Sequence, residues 1–480
     1  MTLTDSFSCD AFALLFQVIP EDIDWIIKRA GKRGYTTPAA FMSSKPRAGI
    51  NHKAYGVTSE GVNVYLDVAL RQTLGIDPTK DPFTIKITGG PDGDVAGNEI
   101  KILVREYGEN ARVVGIADHS GCAEDPHGLD HTELLRLVKE NLSISHFDQA
   151  RLGVDGDLHL VDTKEGVIAR NSMHNRLVAD AFIPAGGRPN TIDKNNYRHF
   201  ILPNGKPSAP LIVEGANLFL TAEARKALYE EAGVVIVKDS SANKGGGTLP
   251  PTFYSVKDKT AHSPNHANSH LFFSLPQRAA YKVITSSYEI CAAMLLSEDE
   301  FFENKEQIVS EVLDKLKSLC KMEALLLFRE YENYPGSLPE ISQIISNAIN
   351  VATDALTVAM DDLSVEELDS LLPLFRAHLP PTIAAIAFDE RVKERVPEQY
   401  IKNAIASCLA SKLVYKEGSR FVDSQPRAML AKMALRYIVK EKEIALLMEA
   451  LQSADMDETK KQDILRLLDA GGARTALGFV

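Results

Sequence analysis

Cysteine is scarce in this sequence. Five residues in 480 (Cys9, Cys122, Cys291, Cys320 and Cys408) are scattered and odd in number, and no two form a C-x-x-C pair. That excludes a disulfide framework and a cysteine-based zinc site, and it suits a reducing compartment. Positive charge is also short: 53 Lys and Arg stand against 65 Asp and Glu, a formal net charge of −12. A general nucleic-acid binder neutralises phosphates with clustered bases, so none is expected here. Long apolar runs are missing as well, which leaves no candidate bilayer span and no membrane partner. The first ten residues carry Asp5 and Asp10 and no basic cluster, so they read as neither a secretory signal nor a transit peptide. The expected location is the cytoplasm or the mitochondrial matrix.

What is present is an ordinary globular composition, 45% hydrophobic and 25% charged, in a chain long enough for two or three domains. The stretch Phe83-Thr-Ile-Lys-Ile-Thr-Gly-Gly-Pro-Asp-Gly-Asp-Val-Ala-Gly-Asn98 reads as a short strand, a glycine-rich turn and the start of a helix. Backbone N–H groups bared at such a helix start face an anion. Ala111–Ala117 reads as a second strand ending on Asp118, which lies 21 residues after Gly97. An acid about 20 residues beyond the glycines is placed to hold a ribose hydroxyl. A plain turn accounts for the glycines alone; strand, turn, helix, strand and acid in register favour a dinucleotide site.

Upstream, Pro20–Ala30 predicts a helix, broken by Gly34 and by the Pro46–Gly49 region. Thr58–Leu70 predicts another, with Thr58 as its cap. Downstream, a helix is predicted over Leu134–Leu142 and a strand over Leu158–Val161. Three further strands each run into a small or polar cluster: Ala179–Pro184 into Ala185-Gly-Gly-Arg-Pro189, Leu211–Val213 into Glu214-Gly-Ala-Asn217, and Gly233–Lys238 into Asp239-Ser-Ser-Ala-Asn-Lys-Gly-Gly246. Thr221–Ala232 is helical in period. This alternation predicts a doubly wound, Rossmann-like, mostly parallel α/β sheet, with the clusters converging on its carboxyl edge. From about residue 288 glycine and proline thin out. Runs at Glu303–Glu332, Leu338–Met360, Val365–Ala377, Val396–Leu413 and Met429–Leu451 predict an all-helical C-terminal region with a structural or oligomer role.

The motifs Thr-Gly-Gly-Pro-Asp-Gly-Asp-Val-Ala-Gly-Asn, Pro-Ala-Gly-Gly-Arg-Pro, Glu-Gly-Ala-Asn and Asn-Lys-Gly-Gly, in this order, resemble the large NAD-specific glutamate dehydrogenases of the glutamate/leucine/phenylalanine/valine dehydrogenase superfamily. Lys53-Ala-Tyr-Gly-Val-Thr-Ser-Glu-Gly-Val62 fits the family element that opens the cofactor domain. The resemblance implies oxidative deamination of L-glutamate to 2-oxoglutarate and ammonium, with NAD as cofactor and a homo-oligomeric assembly. It assigns Gly90, Pro91, Asp92, Gly93, Asp94 and Val95 to the pyrophosphate turn, Asp118 to the adenosine ribose, and Ala185 and Asn217 to the cofactor. Thr58, Asn243 and Ser286 fall on the substrate and nicotinamide side. It also divides the chain: 20–78 as a remnant of the substrate domain with a hinge helix, 79–290 as the NAD-binding domain, and 291–480 as the helical region.

Two departures stand out. The family's catalytic lysine, from a Lys-Gly-Gly in the substrate domain, and its proton-shuttling aspartate have no counterpart here. The one Lys-Gly-Gly, at Lys244, belongs to the cofactor-side element, and Phe12–Ile19 contains no Gly-Pro-Asp. No catalytic residue is therefore assigned. Residues 247–282 interrupt the family pattern between Asn243-Lys-Gly-Gly246 and Val283. Together with 1–19, they read as sequence foreign to the family, such as translated non-coding sequence, or else as a lineage-specific insertion. His262, His266 and His270 recur at four-residue spacing, but Pro264 lies among them without a supporting carboxylate, so no metal is expected. The expectation is the cofactor-binding, C-terminal part of a longer glutamate dehydrogenase. A catalytically silent NAD-binding module, or a dehydrogenase of another amino acid, are the alternatives.

Overall fold

Phe83–Thr88 (β1) is buried at five of its six positions, with Phe83, Ile85 and Ile87 on one face and Lys86 and Thr88 on the other, as the central strand of a covered parallel sheet must be. In the computed structural model, which describes residues 20–34, 45–243, 284–361, 363–425, 429, 430 and 433, β1 pairs in parallel with Ala111–Ala117 (β2) on one side. On its other side it pairs in parallel with Ala181–Pro184 (β5). Leu211–Val213 (β6) and Val235–Val237 (β7) continue the parallel array beyond β5. The outer edge of β2 is covered differently. Gly121–Glu124 (β3) turns back antiparallel to it, and Asp157–Leu160 (β4) pairs antiparallel with β3, giving the order β4-β3-β2-β1-β5-β6-β7. The expected parallel sheet is therefore present, with an antiparallel edge that the sequence did not announce. Gly-Cys-Ala-Glu is too short to show a period; it forms a strand because the exposed ladder of β2 needs partners.

The described residues fall into two units. The sheet unit comprises 52–243 with 319–343. Its helices are His52–Tyr55 (α2), Val57–Ala69 (α3), Asp94–Tyr107 (α4), His131–Glu140 (α5), Lys164–Arg176 (α6), Ala222–Ala232 (α7) and Asp239–Ala242 (α8), α1 being Pro20–Lys32 in the other unit. Asp130, Thr163 and Thr221 cap α5, α6 and α7 by accepting N–H groups of the first turn. The cap of α3 is not Thr58: the helix starts on Gly56 in the left-handed region (φ 63°), and Thr58 is buried in its first turn. Phe182, Phe200, Ile212, Phe219, Leu228 and Ile236 form much of one core. Lys86, fully buried in β1, donates from Nζ to Leu177 O and Ser208 Oγ at 2.7 Å each and lies 4.6 Å from the Phe200 ring centroid. Burial pushes its pKa well down.

The second unit is helical: Ile284–Leu295 (α9), Glu298–Glu303 (α10), Lys305–Asn333 (α11, first half), Leu338–Asp361 (α12, latter part), Val365–Asp369 (α13), Leu372–His378 (α14), Pro381–Arg395 (α15), Glu398–Glu417 (α16) and Ser419–Asp423 (α17). The expected helix over Val365–Ala377 is two helices, because Pro373 opens a new one. Helix α15, which the sequence reading did not include, opens on Pro381, since proline is well placed in a first turn. Most of Met429–Leu451, and all of 1–19 and 247–282, lie outside the described residues. Among those described, no helix is long and apolar enough to cross a membrane.

Candidate functional site

Strand order reverses at β1: the chain leaves it for β2 on one side and returns to β5 on the other. Such a switch point opens a crevice at the carboxyl ends of the strands. Two loops meet there. Ala185 N–H donates to Thr88 O at 2.8 Å, tying the turn after β5 to the end of β1. Gly89 has φ 107°, and a β-carbon on it would lie 2.9 Å from Gly186 N; one on Gly186 would lie 2.8 Å from Gly89 Cα. Only glycine permits that approach.

Helix α4 opens at this point. Its N-cap, Gly93, is extended (φ −74°, ψ 151°) and offers no side-chain cap, so the first-turn N–H groups meet no capping side chain. Uncapped donors at the positive end of a 14-residue helix suit an anion. The turn is closed by Gly93 N–H to Gly90 O at 2.8 Å. Pro91 is buried, Asp92 and Val95 are half-buried, and Asp94 is exposed on the helix start. A β-carbon on Gly90 would strike Asp92 Oδ1 and come within 2.6 Å of Asp118 Oδ2.

Asp118, just past β2, is 6% exposed and already engaged. Its Oδ1 accepts the N–H and O–H of Ser120, both at 2.7 Å, and its Oδ2 accepts Ile144 N–H at 2.7 Å. A carboxylate has about four lone-pair sites, two on each oxygen. Oδ1 is filled, and Oδ2 keeps one for a further donor, on the oxygen that faces Gly90. Neither Ser120 nor Ile144 was singled out in the sequence; for Ile144, nothing local marks a residue that orients another from 26 positions away.

The other half of the crevice is built from the ends of β6 and β7. Asn243 Nδ2 donates to Gly215 O at 3.0 Å and to Asn217 Oδ1 at 2.8 Å, so the two predicted asparagines do meet. Beneath them lies a buried charge cluster that sequence reading missed. Arg225 Nε and Nη2 donate to Glu214 at 2.9 and 3.0 Å, and Glu214 also accepts the N–H of Asp239 (3.1 Å) and of Leu220 (3.3 Å). Asp239 Oδ2 accepts Leu218 N–H at 2.9 Å, holding a leucine at φ 57°. Burial raises the Glu214 carboxyl to about 7 even with Arg225 pulling it down. The one available signal was an arginine among the apolar positions of α7. Thr58 is reached through its helix: α3 packs against α4, β6 and α8, and the neighbouring Ser59 Oγ donates to Val95 O at 2.9 Å. Ser286 falls in α9, in the helical unit, with its side chain outside the described residues, as are Lys244 and the three spaced histidines. Among the described residues, no group of three His, Cys, Asp or Glu could hold a metal ion.

Residues 49–250 match the family model described as Glutamate/Leucine/Phenylalanine/Valine dehydrogenase. The chain is 31% identical over 430 residues to a probable NAD-specific glutamate dehydrogenase of Schizosaccharomyces pombe, covering 85% of this chain and 34% of that protein. It is 32% identical over 418 residues to the NAD-specific glutamate dehydrogenase of Neurospora crassa, covering 83% and 36%. Glutamate dehydrogenase 2 of Dictyostelium discoideum is 31% identical over 424 residues, covering 82% and 36%. The chain thus spans about a third of the length of the curated relatives it matches.

Proposed function

Because residues 49–250 match the glutamate/leucine/phenylalanine/valine dehydrogenase family model, we propose that the crevice at β1 and β5 binds NAD and that the chain supplies the cofactor-binding part of an NAD-dependent glutamate dehydrogenase. The observation that carries the reading is the meeting of three elements at one switch point. These are an uncapped helix start after β1, an acid with a free lone pair after β2, and an asparagine pair after β6 and β7.

The residues fit the group. The Gly90–Gly93 turn leaves backbone close enough for a pyrophosphate on the first-turn N–H groups of α4, with Pro91, Asp92, Asp94 and Val95 shaping the turn. Asp118 Oδ2 accepts a ribose hydroxyl, and its negative charge selects against a 2′-phosphate. Ala185 lines the join between the two loops. Asn217 and Asn243, bonded to each other, present amides toward the nicotinamide end, with Thr58 on the substrate side. When bound, the nicotinamide accepts a hydride from the amino acid's α-carbon. The acid–base chemistry is assigned to no residue of this chain. A homo-oligomer in a reducing compartment, cytoplasm or mitochondrial matrix, belongs to the same proposal and accords with the few, scattered cysteines of the sequence.

The test is NADH titration of residues 1–480 by fluorescence, followed by an assay for glutamate-dependent NADH formation. Binding without turnover is expected. Failure to bind NADH overturns the reading; turnover would place the catalytic lysine and aspartate roles within this chain.

A further inference from the structure

We propose that Lys53 is a further ligand of the dinucleotide's phosphates, supplying positive charge at a turn lined with acid. This rests on the reading of the crevice given above.

Lys53 is exposed on the short helix α2, far from the glycine turn in sequence, yet its ammonium reaches the turn. Nζ donates to Asp92 O at 3.2 Å and to Asn141 Oδ1 at 3.3 Å. Asn141 is the C-cap of α5, and the loop that follows it sends Ile144 N–H to Asp118. Lys53 therefore bridges the two rims of the gap between the glycine turn and Asp118, where a dinucleotide's phosphates pass toward its adenosine ribose.

The position is fixed rather than incidental. Lys53 O accepts Asn98 Nδ2 at 2.7 Å, and the same amide donates to Asp94 O at 2.8 Å, fastening α2 to the first turn of α4. Gly56 makes room for this, since a β-carbon there would sit 3.2 Å from Asn98 Cβ and Cγ.

Charge supplies the rest of the argument. Asp92, Asp94 and Asp118 all sit on this rim, and each would repel a phosphate. A helix start offers only about half a unit of positive charge. Arg170 comes near, but its Nε donates to Asp118 O at 2.6 Å and its Nη1 to Asn171 Oδ1 at 2.8 Å, so its guanidinium is engaged below the crevice. The two acceptors of Lys53 are neutral oxygens at long range, and an ammonium has three donors. Exchanging one of those oxygens for a phosphate is a gain, because charge-assisted bonds are the stronger kind.

The test compares wild type with Lys53→Met and Lys53→Arg in the full chain, titrating NADH, ADP and adenosine at two salt concentrations. Lys53→Met should weaken NADH and ADP by roughly tenfold, the size of one hydrogen bond to a charged group. It should also flatten the salt dependence and leave adenosine unchanged, while Lys53→Arg retains most of the affinity. Unchanged NADH binding in Lys53→Met overturns the proposal. So does an equal loss for adenosine, which would mean that Lys53 acts only through Asn98 and the fold. If wild type binds adenosine but neither NADH nor ADP, the crevice itself has been misread, and the proposal falls with that reading.

Discussion

Gly89 and Gly186 meet backbone to backbone across the carboxyl ends of β1 and β5, close enough that a β-carbon on Gly186 would lie 2.8 Å from Gly89 Cα. The contact sets the spacing of the two loops that form the crevice. Gly186→Ala forces them apart, and overpacking of this kind costs about 1–3 kcal/mol. Urea denaturation should show that loss, and NADH affinity should fall with it. An unchanged midpoint would mean that the loops part freely.

Asp118 is the acid whose remaining lone pair faces the turn. Asp118→Asn keeps the size of the side chain but turns one of its two acceptors into a donor, so either Ser120 loses its acceptor or Ile144 N–H and the ribose hydroxyl lose theirs. We expect NADH to bind roughly tenfold more weakly, by one hydrogen bond to a charged group. The preference for NADH over NADPH should narrow, because the repulsion of a 2′-phosphate is relieved. Parallel fluorescence titrations of the two cofactors decide it.

Arg225 and Glu214 form a buried pair whose side chains are 8% and 0% exposed. Arg225→Met removes the group that holds the Glu214 carboxyl down, so Glu214 must either stay buried as an unpaired charge or take up a proton, a loss of about 3–5 kcal/mol in stability. The double variant Arg225→Met, Glu214→Gln removes the charge as well and should recover part of that loss. If the single and double variants unfold at the same denaturant concentration, the pair is not the source of the destabilisation.

His174 packs against the rings of Phe182 and Phe219, and burial lowers its pKa from 6.5 to about 4, with Lys86 and Arg170 adding to the effect. The unfolded chain therefore takes up the proton first on acidification. Stability associated with His174 is complete above pH 6.5 and is lost as pH falls toward 4, by about 3 kcal/mol. His174→Phe should shrink the difference in unfolding free energy between pH 7 and pH 4.5 relative to wild type. An identical pH profile would place the proton elsewhere.

Much of this was legible beforehand because it is local. Period and punctuation gave β1, β2, β5, β6 and β7 within a residue or two, and the glycine turn declared the start of α4. Partners distant in sequence were not legible. The cap of α3 is Gly56 rather than Thr58, because the packing of Asn98 against that turn selects a left-handed glycine. Strand β3 forms because β2 needs an edge partner, not because four residues have a pattern.

The sequence by itself determined most of the strands, many of the helices, the polar clusters at strand ends and the shortage of cysteine and base, since each follows from neighbouring residues. The tertiary structure alone decided how the carboxylate of Asp118 is occupied, that Asn217 and Asn243 bond to each other, and that Lys53 reaches Asp92 and Asn141. The physical reason is that these are hydrogen bonds across 26 to 88 residues of chain. Such bonds exist only once the sheet has brought the ends of its strands to one edge.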